Sequence, residues 1–207
     1  MQSILTVALT GGIACGKSIA AAVFKELGCY VHYSDKTAHQ LMKPHTPAWK
    51  KIVHRYGRSI LNPDQTINRS KLGKIVFEND QDRKFINRII HPLVLEEKRK
   101  IVADLKKGGR YKIFISEAAL TIESGFTGFY DKVVVVYCPS EVQLRRLMSR
   151  DGVSLSQAHR RIKSQMPAED KKKYADYIID STGPVSSTVE QTEKVYRYLI
   201  QDYQLLQ

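Results

Sequence analysis

The feature that most constrains this chain is a glycine-rich segment near its start, Gly11–Ser18, with the sequence GGIACGKS. It fits the pattern G-x-x-x-x-G-K-[ST] at every fixed position. A short apolar run, Ile4–Leu9, precedes it, and apolar residues at helical spacing follow it over Lys17–Leu27. A strand, a tight glycine turn and a helix in that order form a backbone cradle whose N–H groups attract phosphate. The segment therefore predicts an α/β fold with a phosphate site after its first strand.

Short apolar runs alternate with amphipathic stretches along the rest of the chain. Further strands are predicted at Cys29–His32, Lys112–Ser116, Lys132–Cys138 and Asp176–Asp180. Four consecutive valines in the fourth of these five strands are typical of a strand buried on both faces. The pattern predicts a five-stranded parallel sheet with helices on both sides, a three-layer α/β/α arrangement.

The block between the second and third predicted strands is mostly helical in pattern. Asn68 is a plausible helix cap, and prolines at four positions are expected to interrupt helices (Pro44, Pro47, Pro63, Pro92). Pro92 in particular suits the first turn of a helix. Because the block is too long for one crossover, we expect it to form an inserted lobe.

Charge and cysteine usage narrow the class of protein. The 207 residues include 33 Lys and Arg against 21 Asp and Glu, a net charge of +12, which is compatible with nucleic acid or with a smaller polyanion such as a nucleotide. Without a run of about 18 apolar residues, or a basic start with a cleavage site, we expect no membrane span and no signal peptide. Cys15, Cys29 and Cys138 form no paired or zinc-binding pattern, which favours a reducing cytoplasm.

The class of phosphate-binding protein follows from what surrounds the loop. A GTPase would need a guanine-reading N-K-x-D segment, which the sequence lacks. A helical block directly after the second strand favours a small-molecule kinase, since such kinases insert an acceptor-binding lobe there. Two alternatives remain open at this point: a nucleoside or nucleotide kinase with another acceptor, and a basic nucleic-acid-binding protein.

The chain resembles the dephospho-coenzyme A kinase family over about Val7–Gly183. The blocks that carry the resemblance are ALTGGIACGKS at 8–18, SDKTAHQL at 34–41, NRSKLGKIVF at 68–77, IIHPLV at 89–94, EAALTIESG at 117–125, VYCPSEVQLRRLMSRDG at 136–152, RIKSQM at 161–166 and ADYIIDSTG at 175–183. The resemblance implies ATP-dependent phosphorylation of the ribose 3′-hydroxyl of dephospho-CoA. It also implies one P-loop kinase domain with a core over 1–35, 108–139 and 174–207, a helical acceptor lobe over 36–107 and a helical lid over 140–173.

The expected nucleotide site combines the glycine loop with later residues. Lys17 is expected to neutralise β- and γ-phosphate charge and Ser18 to bind Mg²⁺. Glu117, at the end of the third strand, is expected to hold a metal-bound water and to lie beside the substrates, although a surface acid is the alternative. The expected nucleotide-binding residues are Gly11, Gly12, Ile13, Ala14, Cys15, Gly16, Lys17, Ser18, Ile19, Arg146, Arg150 and Gly183. For Cys15 we favour an ordinary small loop residue over a reactive thiol.

On the acceptor side, Asp35 matches the family's catalytic aspartate, the base for the acceptor hydroxyl. Arg69 and His91 are expected to contact the acceptor. Three positions depart from the family pattern (Tyr33 for aspartate, His39 for arginine and Ser181 for asparagine).

Residues 139–173 hold nine basic and four acidic side chains, a net charge of +5. In a lid, arginines close onto the transferring phosphoryl group, and Arg146, Arg150, Arg161 and Gln165 are the candidates. Lys171–Lys173 is expected to be a solubilising face. The expected partners are small molecules rather than nucleic acid or membrane, for a monomer or weak oligomer.

Overall fold

The computed structural model describes residues 3–207, apart from the side chains of residues 77 and 78, and divides the chain into two compact units. The first contains the chain up to Tyr33 together with Val102–Gln207, and the second is Ser34–Ile101. Within residues 3–207, no helix has both the length and the apolar character that crossing a bilayer requires.

The first unit contains one five-stranded sheet. Its strands are β1 (Leu5–Gly11), β2 (Tyr30–Tyr33), β3 (Ile113–Glu117), β4 (Lys132–Tyr137) and β5 (Tyr177–Asp180), in the order β2-β3-β1-β4-β5. Every neighbouring pair is parallel, so the carboxyl ends of all five strands lie at one edge. The predicted five-stranded parallel α/β sheet is confirmed.

Nine α-helices accompany the strands in the described part of the chain. They are α1 (Lys17–Glu26), α2 (Ser34–Leu41), α3 (Pro47–Tyr56), α4 (Arg69–Glu78), α5 (Asp80–Gly108), α6 (Ser140–Asp151), α7 (Leu155–Lys163), α8 (Ala168–Lys171) and α9 (Val185–Leu205).

The core of the first unit follows from the period-two pattern of β1. Leu5, Val7 and Leu9 join Phe24 of α1 and Leu199 of α9 in one buried cluster. The alternate residue Ala8 is fully buried as well. The strand therefore has both faces covered, as a continuous apolar strand requires.

The second unit has its own apolar core. Ile52 of α3, Leu72 of α4, and Ile90 and Val94 of α5 pack together there. The predicted cap is confirmed: Asn68 accepts a hydrogen bond at 3.0 Å from the backbone N–H of Lys71 at the start of α4. The unit spans Ser34–Ile101 rather than 36–107, because the last turns of α5 belong to the first unit.

The expectation that Pro92 begins a helix is wrong, since Pro92 lies inside the 29-residue helix α5. A proline in a helix removes the one hydrogen bond that its own N–H would donate, four residues back. Ile90 and Val94, on either side of it, are both buried in the core of the second unit. Burial of these side chains offsets the local loss, so the helix continues.

Candidate active site

The glycine loop joins β1 to α1 in a conformation that glycine makes possible. Gly11 has φ 152°, and a Cβ built there would lie 2.2 Å from the carbonyl oxygen of Val136. Ala14 and Gly16 also have positive φ, at 59° and 79°. Left-handed residues alternating with ordinary ones turn successive N–H groups toward one side, which makes a concave anion site. The loop thus has the shape that a phosphate group requires.

Lys17 lies across the mouth of this loop. Its Nζ donates hydrogen bonds to the carbonyl oxygens of Gly11 at 3.1 Å and Gly12 at 3.0 Å. Ser18, the next residue of α1, has an exposed side chain in the first turn. An ammonium group and a hydroxyl are therefore both held at a helix N-terminus, where negative charge is stabilised.

Two glutamines from the predicted lid segment, residues 140–173, contact the glycine loop. Oε1 of Gln165 accepts a hydrogen bond at 3.0 Å from the backbone N–H of Ile13. Nε2 of Gln143 lies 2.9 Å from Sγ of Cys15, as its hydrogen-bond donor. The predicted lid residue Gln165 is thus in direct contact with the phosphate loop.

Cys15 is more than a small loop residue. Its thiol is fully buried, and Sγ of Cys138 donates to it at 3.2 Å. The hydrogen bond from Cys138 is the main cause that lowers the pKa of Cys15 to about 6, against the opposing effect of burial. The sequence spacing of the cysteines contained no indication of this pair.

Arg146 contacts the loop that follows β5. Its guanidinium donates to the carbonyl oxygen of Ser181 at 2.7 Å and to the hydroxyl of Ser181 at 3.3 Å. The same hydroxyl lies 2.8 Å from the carbonyl oxygen of Cys15. Ser181, which replaces the family's asparagine, therefore ties Arg146 to the phosphate loop. Gly183 follows two residues later in the same loop.

The other two arginines predicted for the lid, Arg150 and Arg161, form ion pairs with the same carboxylate. Nε of Arg150 lies 2.7 Å from Oδ1 of Asp151, and a terminal nitrogen of Arg161 lies 2.6 Å from Oδ2. The hydrogen bond from Arg150 is the main cause that lowers the pKa of Asp151. Asp151 thus holds two positive charges together at the junction of α6 and α7.

Glu117 and Glu123 have different surroundings. Glu117 is the last residue of β3, half-buried, and pairs in register with Leu9 of β1. Oε1 of Glu123 forms an ion pair with Lys171 at 2.8 Å and accepts the N–H of Met166 at 3.0 Å. These contacts give Glu123 a structural role in fixing the segment that holds Met166 and Lys171.

Placing Lys171 on a solubilising face was wrong. Its side chain is 0% exposed, and its Nζ donates to the carbonyl oxygen of Ala119 at 2.6 Å as well as to Glu123. A charge is buried in this way only when it is paired and hydrogen-bonded. Lys173 does lie on the surface, with its side chain 74% exposed.

In the second unit, Asp35 lies in the first turn of α2 and is exposed. Burial lowers the pKa of His39, and the charge of Arg69 lowers it further, so His39 does not replace the arginine charge near pH 7. Burial also lowers the pKa of His91, with Lys98 as the second cause. These side chains thus form one electrostatic cluster.

Lys98 belongs to this cluster and was missed by the sequence analysis. Its side chain is 7% exposed, and burial lowers its pKa to about 8, while the charge of Asp35 opposes that change. Lys98 lies seven residues after His91 on α5, so the two share a helix face. That spacing was the one available indication in the sequence.

A cavity of about 680 Å³ lies within the second unit. Arg69 and His39 line it with three neutral polar side chains from the segment before α4, Asn62, Thr66 and Asn68. Lys43 adds a second cation to the lining, and several apolar side chains complete it. A cavity of this size, with two cations and several amide and hydroxyl groups, suits an elongated polar ligand with an anionic end.

No cluster of three or more His, Cys, Asp or Glu side chains in residues 3–207 forms a metal site from protein groups alone. Ser18 and Glu117 supply a hydroxyl and a carboxylate. Those oxygen groups suit Mg²⁺ that also takes ligands from a substrate's phosphates.

Comparisons with known proteins indicate the family to which the chain belongs. The family model for dephospho-CoA kinase matches residues 5–187. The dephospho-CoA kinase of Aquifex aeolicus is 40% identical over 95% of this chain and 98% of its own, and that of Carboxydothermus hydrogenoformans is 43% identical over 89% of each chain.

Solved structures show the same fold. A Thermus thermophilus protein has a TM-score of 0.82 at 24% identity, covering 95% of this chain and 98% of its own. The dephospho-CoA kinase from Campylobacter jejuni has a TM-score of 0.67 at 31% identity, covering 96% of this chain and 98% of its own. With a family match over residues 5–187 and relatives at about 40% identity over nearly the whole length, the chain belongs to the dephospho-CoA kinase family.

Proposed function

We propose that this enzyme transfers the γ-phosphoryl group of ATP to the ribose 3′-hydroxyl of dephospho-CoA, giving coenzyme A and ADP, the final step of CoA synthesis. The observation that carries the proposal is the Gly11–Ser18 loop, in its phosphate-binding conformation, within a chain of this family. Both substrates are polyanions, so part of the net charge of +12 serves to bind them.

The residues of the loop fit ATP. The absence of a Cβ at Gly11 and Gly12 leaves the backbone open, and the positive φ values at Ala14 and Gly16 turn N–H groups to one side. In the proposed complex, Lys17 exchanges its two loop carbonyl contacts for phosphate oxygens. Ile19 and Gly183 complete the nucleotide contacts that we propose.

Ser18 and Glu117 are proposed to hold Mg²⁺, Ser18 directly and Glu117 through a bound water. When bound, the ion would neutralise charge that develops on the phosphates during transfer. Glu117 is the last residue of β3, and Ser18 lies in the helix that follows the neighbouring parallel strand β1.

Asp35 is proposed to orient the acceptor hydroxyl and take its proton as the new P–O bond forms. Its carboxylate lies in the first turn of α2 with the cation of Lys98 close enough to interact. We propose that Ser34–Ile101 is the acceptor lobe, with Arg69 and His91 as contacts. Arg69, which lines the cavity together with Lys43, suits the pyrophosphate of the acceptor.

The lid is proposed to supply arginines to the transferring group. Arg146 is assigned to the nucleotide side because it bonds Ser181 next to the phosphate loop. Arg150 and Arg161 are assigned to the phosphoryl group, where Asp151 holds both until they are drawn to the phosphates. Once drawn to the phosphates, these positive groups stabilise the charge that develops in the transition state.

We also propose that the enzyme works in the cytoplasm, as a monomer or weak oligomer, on small molecules and without nucleic acid. The three thiols of Cys15, Cys29 and Cys138 are all free, in keeping with a reducing compartment.

The function is tested by measuring ADP release with ATP, Mg²⁺ and each of several acceptors. We expect saturable turnover with dephospho-CoA and little with nucleosides or nucleoside monophosphates. Saturable turnover only with a nucleotide would contradict the proposal. Tight DNA or RNA binding with a steep salt dependence would favour the nucleic-acid alternative instead.

A further inference from the structure

Two cysteines that are distant in sequence meet beneath the phosphate loop. Cys15 lies in the loop itself and Cys138 follows the end of β4, and their Sγ atoms are 3.2 Å apart. Both side chains are 0% exposed, and both thiols are free. A disulfide needs an S–S distance of about 2.05 Å, so the two sulfurs are within about 1 Å of bonding distance.

The surroundings give the two thiols opposite characters. The hydrogen bond from Cys138 is the main cause that lowers the pKa of Cys15 to about 6, and the amide of Gln143 and the charge of Lys17 act in the same direction. The same hydrogen bond raises the pKa of Cys138, as does burial. Cys15 is therefore the more acidic of the two thiols and the one that more readily forms the reactive thiolate.

A cavity of about 460 Å³ in the first unit is lined by Cys138, whose sulfur lies 3.2 Å from that of Cys15. Cys138 and Gln143 line it, together with His159 and Gln165. Because the sulfurs themselves are buried, the cavity favours a small oxidant over a bulky disulfide such as that of a peptide.

We propose that Cys15 and Cys138 form an oxidation site at which a peroxide creates a disulfide that disables the phosphate loop. Sγ of Cys15 attacks one oxygen of hydrogen peroxide, the O–O bond breaks, hydroxide leaves, and Cys15 becomes a sulfenic acid. Sγ of Cys138 then attacks the sulfenic sulfur, and water leaves as the S–S bond forms. In sum, two thiols lose two electrons and two protons, and one peroxide becomes two waters.

The second step is favoured by the first. The thiolate of Cys15 is the main cause of the raised pKa of Cys138. Conversion of Cys15 to a neutral sulfenic acid removes that negative charge, so Cys138 loses its proton more readily and becomes the nucleophile.

The disulfide would act on nucleotide binding through geometry, and this part of the inference rests on the proposed function. The left-handed φ values of Ala14 and Gly16 flank Cys15, so a displacement of Cys15 changes the N–H array on both sides. Closing the S–S distance from 3.2 Å moves the loop by about 1 Å. A misplacement of about 1 Å at a reacting site costs about 100-fold in rate.

The test uses the full-length protein, first reduced and then exposed to graded hydrogen peroxide. Peptide mass spectrometry without reductant is expected to show a Cys15–Cys138 link that has lost two hydrogen atoms and is reversed by dithiothreitol. A fluorescent ATP analogue is expected to bind at least about tenfold more weakly to the oxidised protein, and turnover to fall by about 100-fold. In a thiol–disulfide redox buffer, saturating ATP is expected to shift the equilibrium toward the two thiols by the same factor by which the disulfide weakens ATP binding, since coupling between two sites is reciprocal.

Two variants sharpen the test. In C138A, peroxide is expected to give no internal disulfide. Cys15 loses the hydrogen bond that lowers its pKa, so it is expected to react more slowly, and any over-oxidation of Cys15 is not reversed by dithiothreitol. C29A is the matched control, because burial raises the pKa of Cys29 to about 12, and it is expected to respond as the unmodified protein does.

The mass measurement decides the oxidation site without any assumption about nucleotide. Two intact thiols after peroxide, or a link through Cys29, would overturn the site. A Cys15–Cys138 link with unchanged analogue binding would overturn its effect on the loop. If the reduced protein bound no nucleotide, the proposed function would fail while the mass measurement still decided the site.

Discussion

The side-chain carbonyl of Gln165 accepts a hydrogen bond at 3.0 Å from the backbone N–H of Ile13. A residue of the predicted lid segment thus occupies one backbone donor of the phosphate loop. A bound phosphate and Gln165 would compete for that donor.

Replacing Gln165 by leucine removes this contact at similar volume. One neutral hydrogen bond contributes about 0.5–1.5 kcal/mol, so hydrogen exchange at the Ile13 amide is expected to become about 2- to 10-fold faster in Q165L without nucleotide. Exchange measured by mass spectrometry with residue resolution checks this. An unchanged Ile13 rate would mean that the contact does not form in solution.

Substituting Asp35 by asparagine removes the proposed base at the same size. Turnover is expected to fall by about 10²- to 10⁴-fold, the usual range for loss of a general base, with little change in ATP affinity. Turnover and binding of a fluorescent ATP analogue measure the two effects. D104N, at an exposed position of α5, is the control. Near-normal turnover in D35N would remove Asp35 as the base.

Lys17 is expected to affect binding and rate together. In K17A the loop loses a positive charge that faces phosphate, and charge-assisted contacts contribute about 1.5–3 kcal/mol, so affinity for ATP falls about 10- to 100-fold and turnover falls as well. Isothermal titration with ATP and a turnover assay measure both. K25A, on the same helix, is the control, and equal losses in the two variants would contradict the assignment.

The buried ion pair between Lys171 and Glu123 is expected to matter for stability. K171M leaves the half-buried carboxylate of Glu123 without its cation, and such a loss costs about 3 kcal/mol of unfolding free energy. K173M breaks an exposed pair and is expected to cost less than about 1 kcal/mol. Urea unfolding of both variants makes the comparison. Similar values for the two would show that burial of Lys171 adds nothing.

Lys98 predicts a pH dependence of stability. Burial lowers its pKa from the usual 10.5 to about 8 in the folded protein. Between those two values the unfolded chain holds a proton that the folded chain has lost, so stability rises with pH in that window. Relative to K98M, the unfolding free energy is expected to rise by about 2 kcal/mol from about pH 7.5 to 9.5. Urea unfolding at several pH values measures it, and a flat difference would contradict the prediction.

The strands and the phosphate loop were predictable because both depend on local sequence. The four valines of β4 and the spacing of glycines around Lys17 each specify their structure within a few residues. Boundaries moved by only a residue or two, as at β3, where Lys112–Ser116 was predicted and Ile113–Glu117 forms. The parallel direction of the strands followed from their alternation with helices along the chain.

Features that depend on partners distant in sequence were not predictable. Lys171 appeared in a run of three lysines, and only the contact with Glu123 and Ala119 shows that it is buried. Cys15 and Cys138 are 123 positions apart, so no local pattern indicated that their sulfurs meet. Pro92 was expected to begin a helix because its local sequence does not show the core into which α5 packs.

Gly11 and Gly12 are adjacent but differ in whether a substitution can be tolerated. A Cβ at Gly11 meets the backbone of Val136 at 2.2 Å, and no side-chain change elsewhere can relieve that contact. A Cβ at Gly12 meets side chains alone: the amide of Gln143 at 2.1 Å, which a shorter residue would withdraw, and Sγ of Cys15 at 3.1 Å. Gly12 is thus open to replacement in lineages that have first shortened Gln143, whereas Gly11 is fixed whatever the order of substitutions.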